Sequence, residues 1–439
     1  MSERSLSRSS SEIEGLSRML TIDAQRFMGR HESLAKWGAT GKGGVNRPAL
    51  SADETGARRE LLDWARRRGF AIYVDPIGNL FVRRQGRSAN ALPIRMGSHL
   101  DSQMPGGNYD GVYGVLAAFE VLETLEDNAV TVDAPLELVI WNNEEGCRFS
   151  PTTMGSAVHG GSLSLDQALS AVDREGITVG QALERSLPAL GSLTPVDLGS
   201  PCSGYIEAHI EQGPVLEALG LSVGVVSGIQ GIAQFVFEVE GEEAHAGTTP
   251  RNTRRDALRG AISLVEEMAS AIEHDDDVRF TVGRFEVAPG AINTVPAKVV
   301  FTLDLRHPDS EELERLVEVV LAMCSSPRRI CGVQCRQVLN SPPVQFDAAV
   351  TAVIAGACAK AGIATMTLPS GATHDAKHMA ALCPSGMIFI PCRDGISHSD
   401  REHADAPNMI QGANILLASI VRLADLTSVG TSDQKHERV

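Results

Sequence analysis

Short apolar runs alternate with amphipathic stretches along most of the chain, the pattern of an α/β protein. Residues 91–97 read as a strand, and 136–141 and 387–390 as further strands of a buried sheet. Between them, residues 111–122 bring Val112, Val115, Leu116, Phe119 and Leu122 to one side of a helix. The middle of the chain follows another order. Residues 232–240 alternate as a strand, 253–272 are helical, and 280–287 and 298–305 are strands. A helix at 310–324 and a last strand at 332–339 complete the split βαβ order of a small sandwich. The pattern therefore predicts a domain at residues 223–340, inserted into a larger one made from 1–222 and 341–439. The polar ends, residues 1–12 and 428–439, are expected to fray.

A length of 439 residues agrees with two domains rather than one. No apolar run approaches the roughly 20 residues that span a bilayer. The polar opening MSERSLSRSS has no apolar segment behind it, so a cytoplasmic address is expected. A net charge of −16 argues against a nucleic-acid partner, and the basic run at 251–259 is too short to reverse that. The cysteines number eight and follow no framework spacing; Cys331 and Cys335 alone are close, so reduced thiols are expected.

Chemistry collects at the predicted strand ends. Gly-Ser-His99-Leu-Asp101 follows the first strand, and Gly-Gly-Asn-Tyr-Asp110-Gly opens the next helix. Asn-Asn-Glu144-Glu145-Gly and His209-Ile-Glu-Gln-Gly follow two more strands, and Gly-Ile-Ser-His398 ends a loop far downstream. In open α/β sheets, sites form beyond the carboxyl ends of the strands, so these pieces can meet in one crevice. Three imidazoles and several carboxylates there suit zinc or manganese. Two divalent ions repel each other and need a shared anion, for which Asp110 in its glycine-rich loop is placed. Of the adjacent Glu144 and Glu145, one can ligate while the other faces water as general base. Asp101 is placed to hydrogen-bond the His99 ring. Any one of these histidines alone is more often an ordinary core or surface residue. The shared context of all five segments, each flanked by glycine, raises a metal site to equal standing with that ordinary reading.

These motifs, with His245-Ala-Gly-Thr-Thr-Pro, resemble the N-carbamoyl-L-amino-acid hydrolases. Their relatives are the allantoate amidohydrolases and yeast-type β-ureidopropionases of the aminoacylase-like metallopeptidase superfamily. The resemblance runs from about residue 15 to about residue 425. It implies a large zinc-peptidase-like catalytic domain with a central mixed sheet, and an inserted ferredoxin-like α/β sandwich serving as lid and dimerisation domain. It further implies two divalent ions per subunit, of zinc, manganese, cobalt or nickel. His99, Asp110 and His209 would hold one; Asp110, Glu145 and His398 would hold the other. Glu144 takes the general-base role, and His245 reaches the neighbouring subunit's site to stabilise an oxyanion. Asn293 and Arg306 match residues that bind the substrate carboxylate, and Ser370-Gly371 matches a loop that contacts it through backbone. The implied partners are a small carboxylate-bearing ureido substrate and a second copy of the chain. The implied reaction converts an N-carbamoyl amino acid to amino acid, carbon dioxide and ammonia.

Other readings stay open at this level. His245 reads more readily as a surface-loop histidine, Arg306 as a partner of Asp304 or Asp309, and Asn293 as a turn former. Allantoate, ureidoglycolate, 3-ureidopropionate, an N-acyl amino acid or a dipeptide are alternative substrates, and an inactive binding relative is the alternative class. Four positions depart from the family pattern: Ile232 for Gln, Thr373 for Gly, Arg251 for Met, and His159 for an apolar residue. They are expected to lie near the substrate, with Gln230 or Gln234, on one face of an extended strand, replacing the missing glutamine. His374 and Asp375 are read as loop-shaping.

Overall fold

The computed structural model describes residues 20–88, 90–325 and 330–433. Two compact units divide the chain, one of residues up to Ser227 and from Phe346 onward, the other Gly228–Gln345. The division falls a few residues later than the pattern places it. The cause is the apolar run Val223–Ile229, which pairs through Val225 and Val226 with the strand Ser385–Ile390 of the larger unit.

The larger unit is built on a mixed sheet. Across it run Val223–Ile229, Ser385–Ile390, Gly204–Ile210, Ile94–His99, Leu136–Trp141, Leu80–Arg84, Ala71–Val74 and Thr194–Pro195, with Thr365–Ser370 also on Val223–Ile229. The four strands from Ser385–Ile390 to Leu136–Trp141 are parallel, and every residue in them is buried. Burial on both faces explains why these segments read as apolar runs rather than alternations. The first strand begins at Ile94, after Pro93, which has no N–H for the ladder, and ends at His99 itself. Helix Val112–Asp127 packs on this sheet with nearly its whole surface buried, including Glu120 and Glu123. Those acids are paired with Arg26 and Arg68, which offsets the cost of burying them.

Register sets up the site. His99 pairs with Trp141, Phe389 pairs with His209, and the pairing of Ile94 with Gly204 puts His99 level with His209. All four parallel strands thus end at one level, and their following loops leave from one edge.

The inserted unit is an antiparallel sheet ordered Gly332–Ser341, Gly231–Glu240, Lys298–His307, with Arg279–Thr281 and Phe285–Ala288 both on the last. Burial alternates strictly along Lys298–His307, so one face is covered by helices Ala257–Ile272 and Ser310–Cys324. The rings of Phe237 and Phe301 stack at 4.4 Å in that core. Residues 280–287 are not one strand, because the ladder breaks between Thr281 and Phe285. The helix expected from 253 starts at Ala257, where the Asp256 side chain accepts from the N–H groups of Leu258 and Arg259. Gln230 is not on the strand with Gln234; it sits buried in the junction between Ile229 and Gly231.

His159 also departs from expectation. Rather than facing a substrate, it is buried against Trp141 and Phe81. Its Nε2 is 3.1 Å from Arg95 Nη1 and its Nδ1 2.9 Å from Asp75, so the ring accepts from the cation and donates to the carboxylate. Among the described residues no helix is long and apolar enough to cross a membrane. The last helix runs to Asp433, beyond the point where fraying is expected, while residues 1–12 and 434–439 lie outside the described residues.

Candidate metal centre

Asp110 is the hub of the loops at the carboxyl edge. Its Oδ1 is 3.4 Å from His99 Nε2 and 3.1 Å from His209 Nε2, while its Oδ2 is 3.5 Å from His398 Nε2. Glu145 Oε2 stands 3.7 Å from His398 Nε2, and Glu144 Oε2 3.5 Å from His99 Nε2. Two triplets result, His99–Asp110–His209 and Asp110–Glu145–His398, each with its donor atoms within 4.8 Å of one another. Gly111 makes the approach possible: its φ is +65°, and a Cβ there would lie 2.5 Å from the His99 ring.

The tautomers test whether a cation fits. His99 Nδ1 is 3.0 Å from the carbonyl of Asp101, and His209 Nδ1 is 2.9 Å from that of Ile210. A carbonyl only accepts, so each Nδ1 carries a proton and each neutral ring turns a lone pair from Nε2 toward Asp110. Lone pairs facing a carboxylate repel unless a positive charge lies between them. A proton or a divalent ion meets that need, and the imidazole–carboxylate donor set is one that zinc and its neighbours take.

Protein charges alone already respond to this crowding. Burial opposes protonation of His99 and His209, yet the surrounding carboxylates raise both pKa values, for His99 well above the ordinary range. Contact with Asp110 lifts His398 to about 8. Burial would raise Asp110, but three imidazoles hold it well below the usual carboxylate range. Burial and the Asp110 charge push Glu145 up to about 7, and burial above all pushes Glu144 well above its usual value.

Asp101 meets the His99 ring as expected, through its backbone carbonyl at 3.0 Å with a carboxylate oxygen 3.7 Å away, and has a further task. The carboxylate accepts from the N–H groups of Glu144 (3.2 Å) and Glu145 (3.1 Å), which fixes the turn carrying both acids. Asn143, Gln212 and His398 hold left-handed backbone at φ +51°, +58° and +53°. Such strain in non-glycine residues persists only where the surroundings over-determine it.

Several positioning residues escape a reading of spacing alone. Gln103 donates to Glu145 from its backbone (3.0 Å) and from Nε2 (2.6 Å), and Gln212 Nε2 donates to Asp110 Oδ2 at 2.8 Å. Glu402, buried, accepts from the N–H groups of Tyr109 and Asp110, both at 3.0 Å, and from the Ser397 hydroxyl at 2.9 Å. It thereby ties the Asp110 loop to the His398 loop. Gln212 was visible as the Gln of His-Ile-Glu-Gln-Gly; nothing local marked Glu402 or Gln103.

Ser370 is buried, its hydroxyl 3.0 Å from His374 Nε2, whose ring centroid lies 4.4 Å from that of His209; Gly371 is exposed beside it. In the inserted unit, His245 and Asn293 are both exposed and adjacent, since His245 pairs with Thr294 and the Asn293 carbonyl accepts from Ala246 N–H at 2.9 Å. His245 Nδ1 accepts from Gly247 and Thr248 N–H, both at 3.1 Å. Arg306 Nε donates to Asp304 Oδ1 at 2.7 Å, and Gln234 Nε2 to Asp304 Oδ2 at 2.7 Å.

The family model described as peptidase family M20/M25/M40 matches residues 96–422. The chain belongs to that family. The match spans the candidate centre and the whole inserted unit. An N-carbamoyl-L-amino-acid amidohydrolase of Rhizobium meliloti is 35% identical over 409 residues, covering 92% of this chain and 97% of that one. An allantoate amidohydrolase of Bacillus subtilis is 31% identical, covering 90% and 96%. Among solved structures, a hydantoinase/carbamoylase family amidase from Burkholderia multivorans superposes with a TM-score of 0.87 at 39% identity, covering 92% and 98%. This M20/M25/M40 member is thus a hydrolase acting on C–N bonds, with His, Asp and Glu groups that could hold metal at its sheet edge.

Proposed function

We propose that this chain hydrolyses the carbamoyl C–N bond of an N-carbamoyl (ureido) amino acid to amino acid, carbon dioxide and ammonia. The observation that carries the reading is Asp110, whose two oxygens face separate sets of donors beside Glu144, in a chain 35% identical to an N-carbamoyl-L-amino-acid amidohydrolase. His99, Asp110 and His209 would hold one divalent ion, and Asp110, Glu145 and His398 a second, drawn from zinc, manganese, cobalt or nickel. Ions in such a site supply Lewis acidity, polarising a carbonyl and easing proton loss from water.

The chain's own groups do the rest. Glu144 takes the proton of the attacking water and returns it to the leaving nitrogen, a role its raised affinity for protons suits. His245 serves the site of a second copy, with the inserted unit, a ferredoxin-like sandwich, acting as lid and homodimer interface. Because its Nδ1 already accepts from two backbone N–H groups, its Nε2 carries the proton and is the donor offered to an oxyanion. Arg306, exchanging Asp304 for substrate, grips the carboxylate bidentately with help from Asn293 and the Ser370-Gly371 backbone. Gln230 is assigned to the carbamoyl end; its buried Oε1 has no hydrogen-bond partner among the described residues. Free thiols throughout fit a cytoplasmic setting.

A second reading, allantoate hydrolysis, is favoured by the Bacillus subtilis relative. Ammonia release decides between them. N-carbamoyl amino acids, 3-ureidopropionate, allantoate and ureidoglycolate are compared with N-acyl amino acids and dipeptides, in metal-free and metal-reconstituted protein. Turnover of N-carbamoyl acids only after reconstitution is expected. Turnover of allantoate alone would select the second reading, and metal uptake without any turnover would make the protein a binding relative.

A further inference from the structure

At the edge of the sheet opposite the candidate centre, two thiols meet. Cys202 precedes the strand Gly204–Ile210 and Cys383 precedes Ser385–Ile390; the two strands are parallel neighbours that pair Tyr205 with Ser385. Their Sγ atoms are 3.4 Å apart, and each residue is 8% exposed. Arg95 is anchored beside them, donating to the Ser200 carbonyl at 2.8 Å and the Ser200 hydroxyl at 2.6 Å, with its charge met by Glu137 at 2.8 Å. That fixes the backbone just before Cys202 and sets a cation near its sulfur. Neither thiol belongs to a group of three possible metal donors among the described residues. A disulfide needs its sulfurs about 2.05 Å apart, so closing the pair takes a movement on the order of 1 Å.

We propose that Cys202 and Cys383 are a modification site, forming a reversible disulfide when the protein meets a hydroperoxide. The Cys202 thiolate attacks one peroxide oxygen and the O–O bond breaks, leaving a sulfenic acid; the expelled hydroxide takes up the thiol proton and departs as water. Cys383 sulfur then attacks the sulfenic sulfur, the S–O bond breaks, and the second oxygen leaves as water with the Cys383 proton. Two thiols lose two electrons, and hydrogen peroxide becomes two molecules of water. Cys202 is the attacking partner. The hydrogen bond it shares with Cys383, aided by the Arg95 charge, holds its pKa below the ordinary thiol value, while Cys383 lies above it. The bond joins positions 181 residues apart, so it constrains the unfolded chain far more than the folded one and raises thermal stability.

Peptide mapping of the metal-loaded protein tests this. After stoichiometric hydrogen peroxide, alkylation and digestion without reductant, one cross-linked peptide joining Cys202 to Cys383 is expected. Two of the eight thiols should be lost, the melting temperature should rise, and dithiothreitol should reverse both changes. In Cys383→Ser the reaction should stop at a Cys202 sulfenic acid that dimedone captures. If that variant does not fold, the map of the unaltered protein decides alone. Eight intact thiols, or oxidation confined to Cys147 or to a Cys324–Cys335 link, would overturn the proposal.

Discussion

His99, Asp110, Glu144, Glu145 and His209 are each at most 7% exposed and interlocked, whereas His245 and Asn293 of the inserted unit are exposed and Arg306 is 30% exposed. The first group hangs from the ends of a sheet buried on both faces. Its backbone and side-chain partners, Asp101, Gln103, Gln212 and Glu402, leave each acid or ring little freedom. Polar groups in such surroundings are costly unless paired, and electrostatic interactions there are strong. The second group sits on a two-layer unit with one solvated face, and its members rest on local partners: Nδ1 of His245 on its own loop, Arg306 on Asp304. Under the proposed reading, the fixed field of the first region would serve the metals and the proton transfer, and the groups of the second, which can change partners, would serve the substrate carboxylate and the oxyanion. His398, at the sheet edge of the larger unit, is intermediate in character: half exposed and on strained backbone.

The contrast can be broken most severely at Asp110. Asp110→Ala should lower turnover by at least about 10³-fold and bring bound metal, expected at about two ions per chain in the unaltered protein, close to zero by elemental analysis. Retention of both ions would show that Asp110 is not shared. Glu144→Gln should cost roughly 10²- to 10⁴-fold in kcat while metal content and thermal melting stay as they were. Wild-type turnover in that variant would remove the general-base assignment. His245→Ala should cost about 10²- to 10³-fold with metal content unchanged. Mixing it with Glu144→Gln should restore part of the activity through hybrid dimers once subunits exchange; no recovery despite exchange seen by native mass spectrometry would argue against a site shared between copies. The smallest effect is expected at Arg306, the proposed carboxylate anchor. Arg306→Lys should raise KM roughly tenfold, about 1.4 kcal/mol, with little change in kcat. An equal loss in kcat would move Arg306 into the reacting region.

Much of this was legible in residue order. The parallel strands announced themselves as apolar runs, and the inserted unit as strict alternation around two amphipathic helices. Glycines beside His99 and Asp110 marked where backbone had to come close. Other features were not local. Asp101 lies two residues from His99 and meets that ring as spacing expected, but its carboxylate also holds the backbone N–H groups of Glu144 and Glu145, which spacing did not show. Glu402 is 292 residues from the Asp110 N–H it accepts. His159 departs from a family pattern, yet it belongs to a buried pair with Asp75 and Arg95.

By itself the sequence determined which side chains exist at strand ends and loops, because side-chain spacing and turn chemistry act over a few residues. Tertiary structure alone decided which oxygen of Asp110 meets which imidazole, which tautomer each ring adopts, and that the Cys202 and Cys383 sulfurs touch. Those facts depend on register between strands far apart in the chain, and no short-range rule sets that register. It follows from burying every face of the sheet at once.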